Sequence, residues 1–154
     1  MTAVVHDDTV VWYFADTVAS TSAPTVANIT AATRLVGITN YTLNFSEAEV
    51  DTSDIDGLYD TAVVGTSKAG PITLTMKRDD TDESDAWELF TFRDVGYLIR
   101  SPFAPTPAAA GKVEVYPAQV GQKQPAGYSR NAVQTFDVNF YVTDEPDTDA
   151  VVAA

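Results

Sequence analysis

ITNYTLNFSEAEVDTSDIDGLYDTAVVGTSKAGPITLTMKR, residues 38–78, is the stretch that decides the fold. At its start Tyr41, Leu43 and Phe45 alternate with Asn40, Thr42 and Asn44, the period of a strand with one buried face. At its end Ile72, Leu74 and Met76 alternate with Thr73, Thr75 and Lys77, after a Gly70-Pro71 pair that reads as a turn. Between the two strands Glu47, Glu49, Asp51, Asp54, Asp56 and Asp60 follow one another with no basic residue before Lys68. That run is too long and too acidic for a tight hairpin. Long loops without structure of their own are uncommon in compact domains and are usually functional or disordered. Ile55, Leu58 and Tyr59 have no use in a purely solvated loop, so residues 45–61 read as a long acidic inter-strand loop offered to a neighbouring molecule. The plainer alternative is an acidic tip folded back on its own domain.

The chain's 154 residues suit one domain with a substantial core, and 45% of them are apolar. Cysteine is absent, which excludes disulfides and thiolate metal sites and favours intracellular synthesis. No charged, apolar N-terminal signal is visible and no apolar run is long enough to span a bilayer, so a soluble protein with no membrane association is expected. The formal net charge of -13 repels nucleic acid phosphates and argues against a tight grip on DNA or RNA. Basic residues are scattered singly, and the adjacent pair Lys77-Arg78 runs straight into Asp79-Asp80. Letting nucleic acid pass between negative walls without adhesion remains compatible with this charge.

Residues 1–9 are polar and expected to be flexible, and VVWYFA, residues 10–15, reads as a first strand. An Ala/Thr-rich segment follows, with a short helix placed near 26–33. DDTDESDAWELF, residues 79–90, carries a helix-start pattern, with Ser84 or Asp85 as cap and Trp87 and Phe90 facing the core. Strands are expected at 97–100, near 113–115 and, most clearly, where Phe136, Val138, Phe140 and Val142 alternate with polar residues. The proline-rich segment 101–111 and QVGQKQPAGYS, 119–129, read as connections, and 144–154 as an acidic tail that frays. The resulting architecture is mainly β: one domain over 10–143, a β-sandwich or barrel with one short flanking helix. Asn and Thr dominate its polar strand faces.

Reactive chemistry is sparse. His6 is the single histidine and sits in the N-terminal stretch, so a Ser-His-Asp arrangement has little to draw on. GTSKAG lacks the spacing of a phosphate loop, and TSDIDG fails as a calcium loop, with Thr52 and Val63 where the first and last ligands belong. Asn28, Asn40 and Asn44 satisfy the glycosylation pattern as a by-product of polar strands. Asp79-Asp80 and Asp144-Glu145 read as helix-start or solvated charge. No enzyme, cofactor or metal is expected.

In order along the chain, these features resemble the major tail tube proteins of long, non-contractile-tailed bacteriophages (siphophages), those of actinobacterial hosts especially. The likeness is carried by APT at 23–25 before the Ala-rich segment and Leu35, and by the acidic insertion at 45–57. ITLTMKRDD followed by the helix with Trp87 and Phe90, GKVEVYPAQVG at 111–121, and the tail VTDEPDTDAVVAA carry it further. The resemblance implies a virion protein, made and assembled in the host bacterial cytoplasm, whose copies form rings, expected to be hexameric, stacked into a tube. DNA passes through that tube during infection without specific binding. Tape measure protein, tail terminator and tail tip proteins are the implied partners. The family's stacking loop maps onto Phe45, Glu47, Glu49, Asp51, Asp54, Ile55, Asp56, Leu58 and Tyr59. Asn40, Thr42, Asn44, Thr73, Thr75 and Asp137 are candidates for lining the lumen, with plain solvent exposure as the alternative. Competing readings are another β-sandwich virion protein, such as a tail terminator or capsid decoration protein, and a carbohydrate-binding or immunoglobulin-like module using Trp12, Tyr97 or Tyr128 as an aromatic platform.

Overall fold

A computed structural model describes residues 11–78, 86–104, 106–126 and 129–154. Its strands are β1 (Val11–Ala15), β2 (Thr33–Leu35), β3 (Ile38–Thr42), β4 (Phe45–Asp51), β5 (Ala62–Ala69), β6 (Ile72–Lys77), β7 (Val95–Ser101), β8 (Lys112–Ala126), β9 (Thr135–Val142) and β10 (Asp147–Val151). Two short helices, α1 (Val26–Ala31) and α2 (Ala86–Leu89), interrupt them. The expected strand start at Val10, the N-terminal stretch with His6, the cap Ser84 or Asp85, the Asp79-Asp80 pair and Tyr128 lie outside the described residues.

One eight-stranded sheet carries the body, in the order β2-β1-β7-β8-β9-β6-β3, with β10 on β8, and every pairing is antiparallel. The two ends of that path, β2 and β3, are consecutive in the chain and joined only by Val36 and Gly37, so the sheet rolls until its ends come together. Gly37 makes the corner at φ 77°, a conformation side chains disfavour, and its carbonyl accepts the Lys77 N–H at 2.9 Å. Inside the roll, Trp12, Phe14, Leu74, Met76, Leu98, Tyr116, Phe136 and Phe140 form the main core. Phe90, immediately after α2, closes it edge-on against Phe14 at 5.4 Å and Phe140 at 5.1 Å. Each such aromatic contributes roughly 1.5–3 kcal/mol by leaving water.

A second core on the outer side of β1, β7 and β8 explains why VWYFA is buried at every position. Val11, Tyr13, Ala15, Ile99, Val113 and Val115 face Ile29 of α1 and Ala150 and Val152 of the C-terminal segment. α1 starts on a reciprocal cap, in which the Thr25 hydroxyl accepts the Asn28 N–H at 3.1 Å and the Asn28 side chain accepts the Thr25 N–H at 3.0 Å.

The structure corrects three expectations. The C-terminal stretch does not fray: β10 pairs with β8, Ala110 donates to the Val152 carbonyl, and Ala153 donates to the Pro24 carbonyl. The body therefore runs through 154, because Ala150 and Val152 cover apolar side chains that would otherwise face water. Residues 119–126, expected as connection, extend β8 to Ala126 across a register shift between Val120 and Lys123, because β9 offers it a partner along its whole length. Of the expected loop 45–61, the first part is strand β4, and the unpaired span shrinks to 52–61.

Candidate assembly surfaces

β4 and β5 pair only with each other and form a two-stranded sheet apart from the body. A register shift between Glu47 and Glu49 bends this arm, and Gly65 permits it by its lack of a side chain beside Ala48 and Val50. At the root, Phe45 stacks on Tyr116 at 6.2 Å and the Asn44 amide donates to the Pro71 carbonyl at 2.9 Å. The Gly70 N–H donates to the Asn44 carbonyl, and a side-chain carbon at Gly70 would lie 2.5 Å from that oxygen, so the root tolerates only glycine. Beneath Phe45, the Arg100 guanidinium bonds Glu114 at 2.8 Å and the Tyr41 hydroxyl at 3.0 Å, while the Tyr116 hydroxyl donates to Glu114 at 3.2 Å. Burial, reinforced by the Glu114 charge, pushes the Tyr116 hydroxyl well above the usual tyrosine range. The arm thus stands on a rigid aromatic and ionic footing. An open groove of about 770 Å³ separates its base from residues 142–146.

The tip is ordered by its own bonds. Thr52 donates to the Thr61 carbonyl at 2.8 Å, Ser53 N–H to the Asp51 carboxylate at 2.8 Å, and Gly57 to the Asp54 carbonyl at 3.0 Å. The Ser53 hydrogen bonds hold Asp51 below the usual carboxylate range. Ile55, Leu58 and Tyr59 are 101%, 97% and 84% exposed, so the tip does not fold back on its own domain. Val50, Val63 and Val64 along the arm are exposed as well. Sequence reasoning placed Phe45 and the tip residues in this region but missed the β5 half. The signal was AVVG at 62–65, whose β-branched content is ordinary strand composition.

The proposed lumen residues divide. Thr73 bonds Asn139 at 2.8 Å and Thr75 bonds Asp137 at 2.6 Å across β6 and β9, and Thr42 and Asn40 sit opposite Thr73 and Thr75 on β3. These residues share one outer face, opposite to buried Ile72, Leu74 and Met76. Asn44 does not belong to it, because its amide is committed at the root of the arm. Asn139, a partner on this face, was visible in the alternation of β9 but not singled out. Two of the three aromatics of the platform reading are not free for it: Trp12 is buried and stacked within the core, and Tyr97 is partly buried against the second core, while Tyr128 lies outside the described residues. Among the described residues no three His, Cys, Asp or Glu converge on a metal position, and no helix is long and apolar enough to cross a membrane.

The described residues thus form a rolled β-body with a projecting arm and a hydrogen-bonded polar face. The family described as phage tail tube protein matches residues 1–154, and the chain belongs to it. The fold is that of tail components. At 14% identity and a TM-score of 0.62 it resembles the tail of an empty GTA particle refined with C6 symmetry, over 96% of this chain and 100% of that one. At 9% identity and 0.65 it resembles the sheath/tube terminator of an extracellular contractile injection system, PVC, over 96% of both chains. At 8% identity and 0.57 it resembles a chain of the anti-feeding prophage baseplate, over 94% of this chain and 95% of that one. No curated protein matches the sequence. The protein is a structural tail tube subunit, a component of the virion and not an enzyme.

Proposed function

We propose that copies of this chain close into hexameric rings that stack into the tube of a long, non-contractile phage tail, with the face of β3, β6 and β9 toward the lumen and the arm bridging to a neighbouring ring. The observation that carries this reading is the freestanding hairpin. Isolated two-stranded hairpins are marginal in water, and one that also exposes Val50, Ile55, Val63, Val64, Leu58 and Tyr59 gains stability only by covering them. The C6 symmetry of the GTA tail supports six copies to a ring. Thr, Asn and one Asp make up most of this face, with Lys77 at its end, and in a chain of net charge -13 they give DNA little to adhere to. Assembly in the host cytoplasm with a tape measure, a terminator and tail tip proteins completes the role.

Excising the arm tests it. Residues 47–67 are removed as a paired unit and Ser46 is joined to Lys68 through two glycines. The expected product is a folded body that forms at most single rings in negative-stain micrographs, while the intact chain forms tubes. Unchanged tubes from the excised chain overturn the assignment of the arm, and single rings from the intact chain favour a terminator.

A further inference from the structure

We propose that Tyr116, held in place by the Arg100–Glu114 pair, aims the arm: it fixes the direction in which β4 and β5 leave the body. The arm continues a single ribbon, since β3 leads into β4 and β5 leads back into β6. The bonds at its root lie inside that ribbon, from the Gly70 N–H to the Asn44 carbonyl and from the Asn44 amide to the Pro71 carbonyl. They hold two strands together without setting their angle to the rest of the roll. β3 ends the sheet and pairs with β6 alone, and two-stranded ribbons twist more than wide sheets. The open groove of about 770 Å³ beside residues 142–146 leaves the arm without support on that flank. Phe45 on Tyr116 is the contact that crosses to another wall of the body, because Tyr116 belongs to β8.

Tyr116 is placed to act as a fixed reference. It is 1% exposed, Trp12 stacks on it at 6.3 Å, and its hydroxyl donates to Glu114, two residues away on the same face of β8. Glu114 stands in register with Arg100 across β8 and β7, and Arg100 in register with Trp12 across β7 and β1. The Arg100 guanidinium reaches on to Tyr41 of β3, donating to its hydroxyl at 3.0 Å with Cζ 5.4 Å from the ring, and Trp12 meets the same ring edge-on at 5.2 Å. Side chains from β1, β3, β7 and β8 therefore interlock where the roll closes, under the departing arm. The Arg100 and Glu114 side chains are 16% and 18% exposed, and a pair so far out of water adds little stability that apolar side chains of the same size would not. What it adds is geometry, because short charge-assisted bonds hold their partners in one orientation. Where the arm bridges rings, its direction sets the twist from one ring to the next; this consequence rests on the function proposed above, and the aiming itself does not.

The chain has no cysteine, so a pair can be introduced for spin labels. Ile55→Cys at the tip and Phe92→Cys on the body, both exposed positions, are labelled, and the labelled chain is diluted with an excess of unlabelled chain so that only distances within one copy are read. With the footing intact the tip-to-body distance is a single narrow distribution. Phe45→Ala at least doubles its width without lowering the melting temperature of the body, and Phe45→Tyr, which keeps a ring on Tyr116, restores it. Glu114→Gln broadens it too, measured well below its melting temperature, although Phe45 is untouched. An equally narrow distance in Phe45→Ala means that the ribbon aims itself and overturns the proposal, as does a broad distance in the chain with its footing intact. In electron cryomicrographs of tubes, Phe45→Ala is expected to at least double the spread of twist between successive rings, or to stop tubes forming while the body stays folded. Unchanged twist beside a broadened distance overturns the consequence for the tube and upholds the aiming. Absence of tubes from the unaltered chain overturns the function proposed above, while the distances still decide the aiming.

Discussion

Glu114 is where the residue scale matters most, because it neutralises Arg100 and accepts from Tyr116 under the root of the arm. Replacing it by Gln leaves a half-buried guanidinium without its charge partner, and a cost of about 2 kcal/mol is expected. The Lys112–Asp149 pair is a contrast: at 3.6 Å, with 60% and 85% of the side chains exposed, it is screened, and Asp149→Ala should change stability by no more than about 0.5 kcal/mol. Urea midpoints of the two variants measure the difference, and equal midpoints would contradict the footing described. Tyr116 adds a pH dependence. Its folded hydroxyl holds a proton more tightly than an unfolded tyrosine, whose value is about 10. Its contribution is therefore fully present below about pH 10 and is lost as pH rises toward the folded value. Stability should be level from neutral pH to that point and then fall, with a shallower decline in Tyr116→Phe.

At the scale of elements, the arm and the C-terminal strand exchange the roles their sequences suggest. The arm looks substantial but touches the body chiefly through Phe45, so its removal should leave the melting temperature of the body nearly unchanged. β10 looks like a tail but covers Val113 and Val115, and truncation after Pro146 uncovers them together with Ile29. Losing Ala150 and Val152 alone forfeits at least about 2 kcal/mol of burial, before the broken ladder is counted. The truncated chain is expected to melt many degrees lower or to aggregate, and a melting curve matching the intact protein would show that β10 does not hold the second core. β6 and β9 were legible because alternation is a local signal, with Ile72, Leu74 and Met76 answered by Phe136, Val138 and Phe140. The end of β8 was not: Gln122, Lys123, Gln124 and Pro125 have no strand composition, and pairing with distant β9 extends them.

For the whole molecule, the proposed lumen assignment of the β3, β6 and β9 face is tested through the sign of its charge. Thr73→Lys with Asn139→Lys places cations on that face without disturbing the buried side of β6 or β9. Assembled tubes of this variant should retain double-stranded DNA at low salt and release it as salt rises, by the release of counterions from phosphates, whereas the unaltered protein retains none. Lysine-bearing tubes that ignore DNA at every salt concentration would place this face on the outside of the tube.

Composition and period determined much by themselves: a mainly β body, strands at β6 and β9, a repulsive charge toward nucleic acid, and an unusual acidic segment between two strands. These depend on neighbours in sequence, where burial of alternate side chains leaves its mark. Only the tertiary structure decided that the acidic segment is a hairpin standing clear of the body, that VWYFA lies between two cores, that the last residues are a strand, and that Arg100, Glu114 and Tyr116 gather under the root of the arm. Each of these depends on which distant segment lies alongside, and the pairing of strands far apart in sequence is set by the rolled sheet as a whole and not by any stretch of it.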